Sequence, residues 1–358
     1  MPTSSQLTGQ PGVTGRVATF TLEPSERAAV TDLMRHLAAE FQAAHGHEFF
    51  RAVALACHHL PDRLRSFLRD RRELEDFAAF TLTGIDIDDV AIGPTPDGWG
   101  NQPELRSTAA ESSWLALCGS VLGDLFGWAA QQGGAIVHDI APDPADEHSQ
   151  VGSSSAGLLW WHTEEAFHPL RCDYLGLLCL RNYDGVATTI SSLDDTELPA
   201  DVRSVLFEPR FHIRPDDSHL AGRRCRPRLP AGKEAELIRA AEHRIETMNR
   251  RPRRVALLSG DFDSPYLSID PFYMDIPGDP VARAAFDAVC RALESQLTEI
   301  VLRPGQILFV DNYRAVHGRK PFRARYDGTD RWLKRINIAR DLRKSRAFRV
   351  SSDSRIIY

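Results

Sequence analysis

The feature that most restricts how this chain can fold is a change of periodicity near residue 135. Before it, apolar residues recur at helical spacing. Residues 23–44 place Ala29, Val30, Leu33, Leu37, Ala38 and Phe41 on one face. Residues 49–71 continue helically with an interruption at Pro61, and residues 112–132 carry Trp114, Leu115, Cys118, Val121, Leu122, Leu125 and Phe126 at helical intervals. Residues 77–87 alternate like a strand, and the Pro/Gly-rich stretch 93–100 reads as a loop. Beyond residue 135 short β-rich runs take over, at 135–140, 157–162, 174–181, 187–191, 256–258, 307–310 and 335–339, with helices at 231–248 and 279–302. Short strands at irregular spacing behind a helical opening predict an α+β chain, an antiparallel sandwich or barrel with helices packed outside. Residues 1–22 read as a polar lead-in, expected to be partly disordered. Residues 23–358 read as one domain, helical to about 134 and β-rich from about 135.

Composition removes several function classes. A chain of 358 residues with 42% hydrophobic and 26% charged residues is an ordinary globular protein. Its net charge of −6 recommends neither nucleic acid nor an anionic membrane as partner. No run approaches the roughly 18–20 apolar residues that span a bilayer, the opening residues lack a signal-peptide pattern, and the six cysteines contain no CxxC pair. The expectation is a cytoplasmic protein acting on a small molecule. There is no GxGxxG and no P-loop, so nucleotide phosphates lack their usual cradle.

The residues that carry chemistry lie at the end of an apolar run, Trp160-Trp161-His162-Thr163-Glu164. In extended backbone, residues i and i+2 project from one face, so the His162 imidazole and the Glu164 carboxylate can reach a common point. A His-x-carboxylate pair joined by one distant His is the facial triad of non-haem Fe(II) oxygenases, which leaves three positions for a bidentate co-substrate and dioxygen. The segment from Pro304 to Gly318 reads as turn, apolar strand and short loop, and delivers His317. Arg331 follows fourteen residues later at the head of another strand, where its forked guanidinium could clamp a carboxylate end-on. An HxE pair alone occurs by chance in many chains, and a single loop histidine more often serves a hydrogen bond. The weight rests on the ordered set.

That set, with His162-Thr-Glu-Glu-Ala-Phe-His-Pro-Leu-Arg-Cys-Asp-Tyr-Leu-Gly, Val310-Asp-Asn-Tyr-Arg-Ala-Val-His-Gly-Arg and Arg325-Tyr-Asp-Gly-Thr-Asp-Arg-Trp-Leu-Lys-Arg, resembles the clavaminate synthase-like group of Fe(II)/2-oxoglutarate-dependent oxygenases. Within that group it resembles the hydroxylases of free arginine, lysine and asparagine. The resemblance spans about residues 80–350. It implies a double-stranded β-helix (jelly-roll, cupin-like) core with flanking helices, iron held by His162, Glu164 and His317, and the distal carboxylate of 2-oxoglutarate held by Arg331. It also implies dioxygen as co-substrate and a free amino acid as substrate. By the same match Arg335 grips the substrate α-carboxylate, Gln131 and the second oxygen of Glu164 meet its α-amino group, and Asp270 meets its side chain. Ser268 and Phe272 flank Asp270, so no second acid is evident beside it. The His162-to-Phe167 and Asp184-to-Thr189 segments look most like those of arginine hydroxylases. The implied reaction is therefore hydroxylation of L-arginine at C3 or C4, in natural-product biosynthesis. Desaturation, a lysine, enduracididine-like or asparagine substrate, and a non-catalytic cupin-like binding protein are the alternatives. Glu164 disfavours halogenation, because related halogenases lack the carboxylate ligand. The sequence does not fix the oligomeric state.

Plainer readings account for other motifs. Asp261-Phe-Asp263 fits a turn, His58-His59 a surface pair, and His138 and His168 structural histidines, with groups that support the site's residues as the alternative. Trp160 and Trp161 fit barrel packing. The basic run Arg223 to Arg228 reads as a solvated loop, with a mobile lid as the alternative.

Overall fold

The computed structural model describes all residues except 1–11, 15–16, 42–44, 99–105, 196 and 221–230. The 223–228 stretch considered as a lid lies outside the described residues. Two sheets organise the rest. In the larger, neighbouring strands run Gly12–Thr14, Val17–Thr21, Ala79–Thr83, Ile307–Asp311, Tyr174–Arg181, Trp332–Ala339, Asp124–Trp128 and Ile356–Ile357, and Val137–Ile140 also pairs with Trp332–Ala339. The smaller runs Thr298–Ile300, Thr188–Ser192, Ala315–Arg319 and Leu159–His162. Leu175, Leu177, Leu333 and Arg335 of the large sheet and Thr188, His317 and Arg319 of the small one line a single cavity. The long strand Tyr174–Arg181 is buried throughout and reads as a near-continuous apolar run; Trp332–Ala339 is almost as buried although it carries Lys334, Arg335 and Asn337.

Helix Ala109–Leu122 is buried on every side. A helix that is apolar all round belongs in an interior, and this one packs between the large sheet and the helices Pro24–Phe41, Gly46–Ala56 and Asp62–Leu74. Beyond the small sheet, helices Gly232–Arg250 and Pro280–Ser295 enclose a second apolar cluster containing Phe211, Ile245, Phe286 and Val289. Val316, next to His317, reaches into that cluster.

Three expectations need correction. Residues 17–21 are not part of a polar lead-in: Val17–Thr21 pairs in parallel with Ala79–Thr83, and Val17, Ala18 and Phe20 are buried. Five residues are too few to show a period, and their partner lies far along the chain. The helix expected over 112–132 stops at Leu122, and Asp124–Trp128 is a strand. A Cβ at Gly123 would lie 2.4 Å from the Ala339 carbonyl oxygen, so glycine lets the chain press against Trp332–Ala339 and pair with it. The helix expected to run to residue 302 ends at Ser295, because residues 298–300 pair with Thr188–Ser192. No helix among the described residues is long and apolar enough to cross a membrane. The five cysteines among them are free.

Candidate active site

His162 closes the strand Leu159–His162, and His317 sits mid-way along Ala315–Arg319 as its direct cross-strand partner. Directly opposed residues project from the same face, and the two ring centroids are 4.6 Å apart. The strands approach closely because Gly318 has no side chain: a Cβ there would lie 2.7 Å from the Leu159 carbonyl oxygen. Glu164 follows in the turn after the strand. Asn312 fixes it, accepting from the Glu164 N–H at 2.7 Å and donating to the Glu164 carbonyl at 3.0 Å. The Glu164 Oε2 atom stands 3.2 Å from His317 Nε2 and 3.7 Å from His162 Nε2. One donor atom from each of the three residues lies within 4.8 Å of the other two.

The hydrogen bonds leave the right lone pairs available. His162 donates from Nδ1 to the Trp160 carbonyl at 2.7 Å, which leaves Nε2, facing Glu164, as the nitrogen that a metal would take in place of a proton. Arg335 donates to Glu164 Oε1 at 2.7 Å, so one carboxylate oxygen is tied to a guanidinium while the other faces the imidazoles. Burial pushes the Glu164 acid up, but Arg335 and the two imidazoles outweigh it and hold the group well below the ordinary range. Burial opposes charge on both imidazoles. It prevails at His317, which is lowered; at His162 the Glu164 and Asp270 carboxylates overcome it and raise the group to about 9. Two imidazole nitrogens and one carboxylate oxygen on one side of a point are a donor set that fits a divalent transition metal such as Fe(II).

All seven site residues chosen from the sequence, Gln131, His162, Glu164, Asp270, His317, Arg331 and Arg335, line the same cavity of about 380 Å³. Arg335 is the most heavily engaged. Besides Glu164 it donates to Gln131 Oε1 at 2.6 Å and to His138 Nδ1 at 2.8 Å, and its Nε has no partner among the described residues. His138 donates from Nε2 to the Ala135 carbonyl, so its Nδ1 is the acceptor. Burial and the Arg335 charge push His138 down to about 3, which keeps it neutral. Gln131 donates to Glu165 Oε1 at 3.2 Å and to Ser218 Oγ at 3.0 Å. Arg331 is buried and donates to Thr188 Oγ1 at 3.1 Å. Burial pushes it down to about 10.

Asp270 is pinned where the segment after Leu267 lies against the turn after His162, with Thr163 donating to the Ile269 carbonyl at 2.8 Å. Burial lifts Asp270 to about 6, with His162 opposing and Asp216 adding to the rise. Asp216 is the second acid that the neighbours of Asp270 did not supply. It lines the same cavity and accepts from the Ser218 N–H at 2.9 Å. Its only sequence signal was the Asp-Asp-Ser capping pattern of a short turn, which no spacing tied to Asp270.

The plainer readings largely stand. Asp261 accepts from the N–H groups of Asp263 and Ser264 in an exposed turn, and His58 and His59 are exposed in a short helical turn. His168 packs against Trp128 and Phe167, away from the cavity. His138, however, holds Arg335, and Trp160 lines the cavity with 39% exposure while Trp161 is buried.

The family model described as taurine catabolism dioxygenase TauD, TfdA family matches residues 116–337. The chain belongs to this family. Beyond the TauD/TfdA match, it is 42% identical over 340 residues to enduracididine beta-hydroxylase of Streptomyces hygroscopicus, covering 95% of this chain and 99% of that protein. It is equally 42% identical over 340 residues to L-ornithine/L-arginine 3-hydroxylase of Catenulispora acidiphila, covering 94% and 98% of the two chains. The crystal structure of the non-heme iron oxygenase OrfP with Fe, succinate and (3S)-hydroxy-L-Arg matches with a TM-score of 0.88 and 41% identity, covering 96% of this chain and 100% of that one. OrfP with Fe and alpha-ketoglutaric acid matches with a TM-score of 0.83 and 39% identity, covering 95% and 100%. The α+β arrangement of this TauD/TfdA chain is thus that of a known oxygenase fold.

Proposed function

We propose that the chain is an Fe(II)- and 2-oxoglutarate-dependent hydroxylase of free L-arginine, acting at C3. The observation that carries the reading is the convergence of the three donor residues and all four further groups chosen from the sequence on one cavity. The two facing sheets are read as a double-stranded β-helix, with the metal ligands His162 and His317 on the small sheet. The relatives named above act on arginine, ornithine or enduracididine, or are solved with hydroxylated arginine.

Bound Fe(II) supplies dioxygen activation, drawing two electrons from 2-oxoglutarate as it is cleaved to succinate and carbon dioxide. The protein's part is to position and to exclude water. Glu164 would hold a metal through Oε2, since Arg335 ties Oε1, and a donor set of two imidazoles and one carboxylate would leave room for co-substrate and dioxygen. Arg331 takes the distal carboxylate of 2-oxoglutarate. Arg335, already aligned by Gln131 and His138, takes the α-carboxylate of the amino acid, and Gln131 with Glu164 takes its α-amino group. Asp270 and Asp216 form the acid pair for a guanidinium, a charge-assisted and potentially bidentate match. Holding an extended amino acid at both ends fixes the methylene between them and removes most of the orientational entropy from the chemical step.

The test is turnover with Fe(II), 2-oxoglutarate, dioxygen and a panel of amino acids, read by succinate release and product mass. L-Arginine should gain one oxygen atom, at C3. A loss of two hydrogens would make the enzyme a desaturase, and no turnover with any amino acid would leave a binding protein.

A further inference from the structure

Two buried arginines flank Thr188. Arg331 donates to its hydroxyl, and Arg319 is its direct cross-strand partner, so the Arg319 and Thr188 side chains leave the same face of the small sheet. Arg319 is 3% exposed and Arg331 8% exposed, and both line the cavity. Their hydrogen-bond partners among the described residues are neutral: Ser154 Oγ at 2.9 Å and the Gly157 carbonyl at 3.3 Å for Arg319, Thr188 Oγ1 for Arg331. The Nε and Nη1 groups of Arg319 and the Nε of Arg331 are buried without a partner among the described residues.

A buried guanidinium is tolerated when its N–H groups are answered, above all by an anion. One terminal nitrogen of Arg319 suffices to staple the 154–157 segment to the strand, so stapling leaves the other two groups unexplained. Phe322 lies against the guanidinium, with its ring centroid 4.9 Å from Arg319 Cζ. One guanidinium on the Thr188 hydroxyl and a second rising from the position cross-strand to Thr188, both lining the cavity with N–H groups to spare and no carboxylate partner among the described residues, are arranged for a carboxylate.

We propose that Arg319 is a second guanidinium for the distal carboxylate of 2-oxoglutarate, shared with Arg331 across Thr188, and that the pair selects a dicarboxylic over a monocarboxylic 2-oxo acid. This rests on the reading of the site as a 2-oxoglutarate oxygenase. The resemblance and the triad point only to Arg331 for this carboxylate; Arg319, two residues after His317, adds the second half of the clamp.

Equilibrium binding to the Ni(II)-substituted protein tests it without turnover, using 2-oxoglutarate and 2-oxopentanoate, which has a methyl group in place of the distal carboxylate. Arg319→Gln should weaken 2-oxoglutarate by about tenfold or more, the range of a lost charge-assisted hydrogen bond, and leave 2-oxopentanoate within about threefold. Arg319→Lys, which keeps the charge without the fork, should fall between. Ser154→Ala, which removes the shorter of the two staple contacts and keeps the guanidinium, should leave 2-oxoglutarate within about threefold. Unchanged 2-oxoglutarate affinity in Arg319→Gln, or an equal loss for both acids, overturns the inference while the 2-oxoglutarate reading survives. A wild-type protein that does not prefer 2-oxoglutarate overturns both.

Discussion

The arginines of the cavity live in two different states. Arg335 is met by a carboxylate, an amide oxygen and a neutral imidazole before any ligand arrives. Among the described residues Arg319 and Arg331 meet only hydroxyl and carbonyl oxygens, with N–H groups left over. One guanidinium is therefore set in place by the protein and the other two by what they bind. Substitutions around Arg335 should disturb geometry, whereas substitutions at Arg319 and Arg331 should change affinity for an anion.

The largest effect that would separate the two comes from Glu164→Ala, which removes a metal donor and the acid that aligns Arg335. Hydroxylation should fall at least about a thousandfold, and Co(II) titration followed by absorbance should show the metal lost as well. Arg331→Gln should raise the KM for 2-oxoglutarate about a hundredfold with little change in the KM for arginine, measured by succinate release. Arg335→Lys should do the converse, raising the arginine KM roughly tenfold or more because an ammonium cannot reproduce the fork. Acidity offers a further test. Asp270 is charged only above about 6, so kcat/KM for arginine should fall about tenfold per pH unit below that point. The fall should be absent for an amino acid with a neutral side chain. Asp216→Asn should be mildest, costing about three- to tenfold in kcat/KM for arginine; a larger loss than that from Asp270→Asn would reverse the ranking of the two acids.

How far the sequence could be read follows the same physics. His162 with Glu164, and His317 with Arg331, could be picked out from the sequence because each pair is a local pattern, and the structure brings all four to one cavity. The strand that ends in His162 could be read as an apolar run, whereas the segment expected to be a short loop carrying His317 is the strand Ala315–Arg319, whose Ala-Val-His-Gly-Arg sequence is too short and too polar to show a period. Asp216 and Arg319 could not be picked out. Asp216 approaches Asp270 through a loop packing that no local period records. Arg319 reads as one more basic residue until its cross-strand partner is known to be Thr188. Helix 112–132 was overextended because Leu125 and Phe126 satisfy helical spacing by coincidence; Gly123 was the stop signal. Gln131 was therefore placed on the wrong kind of element although it reaches the right cavity. His138 looked like an ordinary core histidine, and only the atom its Nδ1 faces distinguishes it.

Asn312 has a consequence of its own. By bonding both the N–H and the carbonyl of Glu164 from a turn five residues ahead of His317, it crosslinks the two stretches of polypeptide that furnish the donors. The seat proposed for iron is thereby assembled by the polypeptide alone, through one side chain bonded to backbone, and loading becomes a docking event rather than a trigger for folding, unlike metal domains that collapse only around their ion. A chain stripped by chelation should stay in register, ready to be recharged.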